Sequence, residues 1–165
     1  MTKLPIFTKL APESSTDFEW PTQVEFDSMN FNVGLKSITF KAHKGAISSV
    51  QCTLTNGLSS LVYEQTNVEH ESQKTIKFDS MNPIDEIRGY QKICAEGLHE
   101  IKKIVFHGKK TSKIDDYGAV ALDKKSKNFA PRRKAYHKIV GIYGTFGVNS
   151  LIDLGFIMKV KSSQD

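Results

Sequence analysis

The feature that most constrains this chain is a pattern that occurs three times, with starts about fifty residues apart. Each copy is an alternating apolar segment, a short polar or Gly-bearing connection, and a second alternating segment. The first runs through Leu35, Ile38 and Phe40, then Ile47, Val50, Cys52 and Leu54, and closes on Asn56-Gly57. The second runs through Ile84, Ile87 and Tyr90, then Leu98, Ile101, Ile104 and Phe106. The third runs through Ile139 and Ile142, then Leu151, Leu154, Phe156 and Met158. Within the segments the apolar groups recur with period two, as in Ile38-x-Phe40 and Val50-x-Cys52-x-Leu54. That places them on one face of a strand rather than one stripe of a helix. Strand, connection, strand is a hairpin signature, and Asn-Gly is a turn dipeptide. A shorter echo precedes two of the hairpins: Val24–Asn30 recurs as Ile76–Asn82, both carrying Phe-Asp-Ser-Met-Asn. Propensity alone would draw Gln91–Lys103 as a helix, through Ala95, Glu96, Leu98 and Glu100. Gly97 and the fit to the repeat favour strand–turn–strand there, so the expected class is all-β.

The chain has 165 residues, the size of one domain with a core of its own. Residues 1–19, with Pro5, Pro12 and a Ser-Ser-Thr run, read as an extended arm ahead of a domain spanning residues 20–165. Between the second and third repeats lies a long spacer, Lys109–Lys138. It holds ten Lys and Arg against Asp115, Asp116 and Asp123, a net +7, which leaves −2 for the rest of a chain whose total is +5. The spacer reads as an inserted basic loop. A solvated loop is the plain account; a contact for an acidic surface is the functional one.

Composition excludes several classes. Hydrophobic residues at 39% and charged residues at 25% are globular values, so wholesale disorder is out. No apolar run approaches the ~20 residues of a membrane span. Met1–Trp20 lacks an apolar h-region and carries Glu13, Asp17 and Glu19, which disfavours a secretory signal or transit peptide. Cys52 and Cys94 have no CxxC partner and read as reduced, buried thiols. With no Asn-x-Ser/Thr acceptor, the expected address is cytoplasmic, cytoskeletal assemblies included.

Catalytic and metal chemistry find little support. His43, His70, His99, His107 and His137 never approach a metal-ligand spacing, so no metal or cofactor is expected. Gly141, Gly144 and Gly147 lack the ending of a phosphate-binding loop and read as strand packing and a tight turn. Asp115-Asp116 reads as a pair of turn-forming, solvated acids. No nucleophile, base and orienter can be assembled from the sequence, and the chain is not expected to be an enzyme.

The third repeat carries a resemblance. Lys138–Gly147 (KIVGIYGTFG) followed by Leu151–Phe156 (LIDLGF) is similar to the closing signature of the jacalin-related lectins, "IVGF-G-x-x-G…LDxIGF". Phe26-Asp27-Ser28 leading into Gly34–Ile38 resembles that family's opening "FDD…IxxI". The resemblance covers about Trp20 to Val160. It implies a β-prism I, with three four-stranded Greek-key sheets in a pseudo-threefold arrangement. It also implies carbohydrate binding without catalysis. The family's sugar sits between a Gly-Gly turn near the N-terminus and a late GxxxD loop, where one carboxylate accepts from sugar hydroxyls and glycines admit the backbone.

This chain departs from that pattern in both halves. Trp20–Val24 has no glycine pair, and Gly147 is followed by Val148, Asn149, Ser150 and then Leu151. Aligning on Gly155-Phe156, with one inserted residue, drops the sugar-gripping Asp onto Ile152. Asp153 is adjacent, but successive strand side chains face opposite ways, so it points away from the site unless the loop is bulged. A lost charge-assisted bond is worth ~1.5–3 kcal/mol, tenfold or more in affinity. Gly147, Asn149, Ser150 and Ile152 therefore read as a degenerate carbohydrate site. The functional expectation is a structural or protein-interaction subunit of a larger assembly. It would dock an acidic protein surface through Lys109, Lys110, Lys113, Lys124, Lys125, Lys127, Arg132, Arg133 and Lys134. The alternatives are a working intracellular lectin, with Asn149, Ser150 and backbone around Gly147 replacing the Asp, and a nucleic-acid binder using Phe129 and Tyr136 beside Arg132 and Arg133.

Overall fold

The computed structural model describes residues 2–7, 15–93, 99–108, 112–119, 126–129, 137–148 and 150–160. Among the described residues, twelve strands form three antiparallel four-stranded sheets. The three sequence repeats are the three central hairpins. β3 (Leu35–His43) pairs with β4 (Ala46–Leu54), β7 (Glu86–Ile93) with β8 (His99–His107), and β11 (His137–Phe146) with β12 (Leu151–Val160). The stretch that propensity alone would make helical is thus strand on both sides of residues 94–98.

Each hairpin is flanked in the same way. β5 (Tyr63–Glu64) joins β4 and β6 (Ser72–Lys77) joins β3, giving the order β5-β4-β3-β6. β9 (Lys113–Gly118) joins β8 and β10 (Ser126–Phe129) joins β7, giving β10-β7-β8-β9. In the third sheet the flanking strands come from the other end of the chain: β1 (Thr2–Pro5) joins β12 and β2 (Thr16–Trp20) joins β11. The topology is one Greek key used three times, the last closed by the N-terminal strands. This is the expected prism.

Two boundaries read from the sequence are corrected by this arrangement. Thr2–Pro5 and Thr16–Trp20 are not an arm apart from the domain, because the last hairpin has two open edges and these segments fill them. Lys109–Lys138 is not one inserted loop, since it contains β9 and β10, the strands its own sheet requires. Asp115 and Asp116 accordingly lie in a strand rather than a turn. Asp115 receives Lys74 Nζ at 2.6 Å and Asp116 lies 3.2 Å from Lys113 Nζ.

The alternation read from sequence is the core. Ile38, Phe40, Val50, Leu54, Ile104, Phe106, Leu154 and Phe156 are fully buried. One phenylalanine from each sheet meets at the centre, with Phe106 6.5 Å from Phe40 and 6.0 Å from Phe156 between ring centroids. Gly57, at φ +90°, closes the turn after β4 where Asn56-Gly57 predicts one.

The Phe-Asp-Ser-Met-Asn echo takes two conformations. In the first copy it belongs to α1 (Gln23–Ser28), started by a capping box in which Thr22 and Glu25 bond each other's backbone. In the second, Lys74 and Lys77 stand where Thr22 and Glu25 stand in the first. No capping box forms, and the chain leaves β6 into a turn, Asn82 N–H to Asp79 O. The flanks, not the shared pentapeptide, decide the outcome.

Candidate functional site

The end of the third sheet at the β11–β12 turn brings the predicted residues together. Gly147 N–H donates to Ser150 O at 2.9 Å, which closes the turn. Val148 is half exposed at its tip, while Ser150 and Ile152 are 3% and 5% exposed. Their side chains therefore support the turn from beneath instead of facing solvent. Asn149 lies outside the described residues.

The register contains the bulge on which the orientation of Asp153 depends. Phe146 pairs with Leu151 and Thr145 with Asp153, so Ile152 is an extra residue on β12. Asp153 consequently shares a face with Thr145, and Thr145 pairs on its other side with Asp17 of β2. The Thr145 hydroxyl donates to Asp17 Oδ1 at 2.7 Å. One level along the sheet, Tyr143 lies across Gly155, where any Cβ would collide with the phenol ring. Lys3 Nζ sits 4.9 Å above that ring and 2.6 Å from Glu19. Burial, then the Asp153 and Glu19 carboxylates, push the Tyr143 phenol up to about 12.

These side chains line a groove of about 480 Å³ on the outer face of the third sheet, with Phe18 at its edge. That volume suits a small ligand. Three carboxylates against one ammonium give it a net −2, so it offers hydroxyl acceptors and an aromatic ring and repels anions. Sequence reasoning missed it. Asp17-x-Glu19 and Tyr143-x-Thr145 show the right alternation, but nothing local says that the two segments are neighbours.

Trp20–Val24 does not take part. β2 runs from Thr16 opposite Phe146 to Trp20 opposite Ile142, so the chain beyond Trp20 moves away from the turn. Described residues that reach it are Ile6, just past β1, whose N–H donates to Leu154 O at 3.3 Å, and Gln91 of β7, whose Nε2 donates to Ile152 O at 3.3 Å. Gln65, after β5, donates its side-chain amide to Gly147 O.

Of the predicted basic contacts, Lys113 is exposed and ion-paired with Asp116, and Lys127 lies in β10 opposite Gln91. Lys109, Lys110, Lys124, Lys125, Arg132, Arg133 and Lys134 lie outside the described residues, as do Tyr136 and Cys94. Phe129 ends β10.

One constellation not assembled from sequence does form: Ser48 Oγ lies 2.8 Å from His70 Nδ1, and His70 Nε2 lies 3.3 Å from Glu64. Ser48 is fully buried and Glu64 is held at 3.2 Å by Lys41, so this is a strut between β4, β5 and the chain before β6, closed to any substrate. Cys52 is free and buried, and burial pushes its thiol up to about 12, which makes it inert. Among the described residues no group of three or more His, Cys, Asp or Glu is placed to hold a metal, and no helix is long and apolar enough to cross a membrane.

The family model for the jacalin-like lectin domain matches residues 18–157. The chain belongs to that family. The jacalin-like lectin domain is a binding fold and not a catalytic one. Its solved structures share the architecture at low sequence identity. A prostate-specific WGA16 glycoprotein lectin superposes with a TM-score of 0.63 at 15% identity, over 94% of this chain and 98% of that one. Calystegia sepium agglutinin gives 0.64 at 13% identity, over 97% of both. Jacalin in complex with mellibiose gives 0.61 at 18% identity, over 77% of this chain and 92% of that one. No curated protein sequence matches the chain.

Proposed function

We propose that this jacalin-like domain is a non-catalytic carbohydrate-binding protein whose ligand groove lies on the third sheet, beside the β11–β12 turn. The observation that carries the reading is the bulge at Ile152, which brings Asp153 onto the face of Thr145 and Asp17. A sugar presents vicinal hydroxyls that donate to carboxylates and an apolar face that packs on a ring. Asp153, Asp17 and Tyr143 supply these partners within one groove. The net −2 selects neutral or amino sugars over sialylated or sulfated ones. A shallow polar groove binds weakly on its own and gains strength through multivalent display. That a structural neighbour, jacalin, has been solved with a disaccharide supports the ligand class.

The test is a glycan array with the natural protein beside Asp153→Asn. Binding to neutral glycans, displaced by free monosaccharide and reduced tenfold or more in the variant, is expected. A silent array, or binding that ignores both sugar and variant, overturns the reading.

The +7 charge of Lys109–Lys138 supports a second reading, in which the sugar site is retired and the domain docks an acidic protein surface within a cytoplasmic assembly. Silence of the natural protein on the array, with its acidic partner still bound, is its signature. Because β9 and β10 lie in that segment, its partner test is charge reversal at Lys124, Lys125, Arg132 and Arg133, not deletion. Undiminished association of the reversed variant refutes it.

A further inference from the structure

We propose that Gln65 and Gln91 are positioning residues for the groove: their side-chain amides clasp the two ends of the β11–β12 turn, one from each neighbouring sheet, and hold the bulge that brings Asp153 onto the face of Thr145 and Asp17. The proposal rests on the reading of that groove as the carbohydrate site.

The bulge needs holding because its alternative is close at hand. Moving the extra residue from Ile152 to Asp153 would pair Thr145 with Ile152 and put an isoleucine in the groove, while Leu154 stayed opposite Gly144 and the core pairing was kept. The ladder by itself selects weakly between the two placements, since each leaves one residue of β12 without a partner on β11 and buries the same Leu154 and Phe156. Gln91 Nε2 donates to the carbonyl of the bulged residue itself, Ile152, at 3.3 Å. Gln65 donates to the carbonyl of Gly147 at the other end of the turn.

Both donors are rigidly based. Gln91 is 1% exposed in β7, a central strand of the second sheet, paired with Ile101 and Lys127. The Gln65 backbone N–H donates to Ser48 O at 3.1 Å, and the residue before it, Glu64, is held by Lys41 and His70. Gln91 Oε1 has no hydrogen-bond partner although it is buried. An apolar side chain would fill that space without orphaning an acceptor, so the amide is better explained by its N–H than by packing.

The experiment uses Gln65→Met and Gln91→Met, which keep length and lose the donor. Three quantities are read: hydrogen exchange of the Gly147 amide, affinity for a neutral glycan taken from the array, and the thermal midpoint. Expected is Gly147 exchange at least tenfold faster and affinity about tenfold lower in each variant, with no fall in midpoint for Gln91→Met. Unchanged Gly147 protection overturns the proposal. So does a loss of affinity that follows a fall in midpoint while Gly147 exchanges no faster than its neighbours. If the natural protein binds no glycan the groove reading fails, and the exchange measurement still decides whether the glutamines hold the turn.

Discussion

Thr145 Oγ1 donates a 2.7 Å hydrogen bond to Asp17 Oδ1, joining residues 128 positions apart. The donor is 1% exposed, while the acceptor carboxylate opens to solvent. Thr145→Val keeps the shape and removes the donor. Because water replaces the lost bond at Asp17, a cost of about 1 kcal/mol is expected in urea unfolding, near the middle of the range for a single bond. An unchanged midpoint would mean that the bond contributes nothing to holding β2 against β11.

Met29 and Met81 occupy equivalent places in the repeated Phe-Asp-Ser-Met-Asn, yet they are 5% and 88% exposed. Met29→Ala empties a core position and is expected to cost about 2–5 kcal/mol. Met81→Ala is expected to stay within about 0.5 kcal/mol. Equal effects in parallel denaturation curves would contradict the two conformations of the pentapeptide.

Gly141 approaches the chain of β2 so closely that a Cβ there would run into the Trp20 carbonyl and the Pro21 ring. The carbonyl is backbone, fixed by the pairing of Trp20 with Ile142, and cannot swing aside. Gly141→Ala is expected to lose roughly 2–3 kcal/mol, at the upper end of overpacking costs. At Gly34 the nearest neighbour of an added Cβ is Lys138 Cδ at 3.7 Å, so Gly34→Ala is the control and should leave the melting temperature unmoved.

Tyr143 ties stability to alkaline pH. Its phenol ordinarily titrates near 10 and is held up to about 12, first by burial and then by Asp153 and Glu19. Between those values the unfolded chain has lost the proton and the folded protein keeps it, so the unfolded state binds fewer protons and stability falls as pH rises. The contribution is whole below pH 10 and disappears by about 12. Tyr143→Phe should flatten that part of the stability curve, and the tyrosinate absorbance lost in the variant should be the component titrating near 12. An equal slope in both proteins would place the titration elsewhere.

How much was legible varied with range. Ile38-x-Phe40 and Leu154-x-Phe156 declare their buried face because a strand presents alternate residues to alternate sides whatever it later pairs with. The hairpins were legible for the same reason, their strands being neighbours in sequence. Thr2–Pro5 looked like an arm because it is short, contains Pro5 and has no partner nearby in sequence; its partner is Thr2 to Met158 across the whole chain. β9 and β10 were hidden in the same way by the lysines around them.

The groove shows the division most clearly. The two-residue period of a strand puts Tyr143 and Thr145 on one side, makes the three repeated hairpins legible, and, once Thr16–Trp20 is known to be a strand, puts Asp17 and Glu19 on one side. Tertiary structure decided that Asp17 meets Thr145, that an extra residue at Ile152 turns Asp153 to join them, and that Gln65 and Gln91 reach the turn from other sheets. Register and bulge depend on which edges must be closed and which faces buried once the sheets assemble, a balance among distant segments that no local pattern contains.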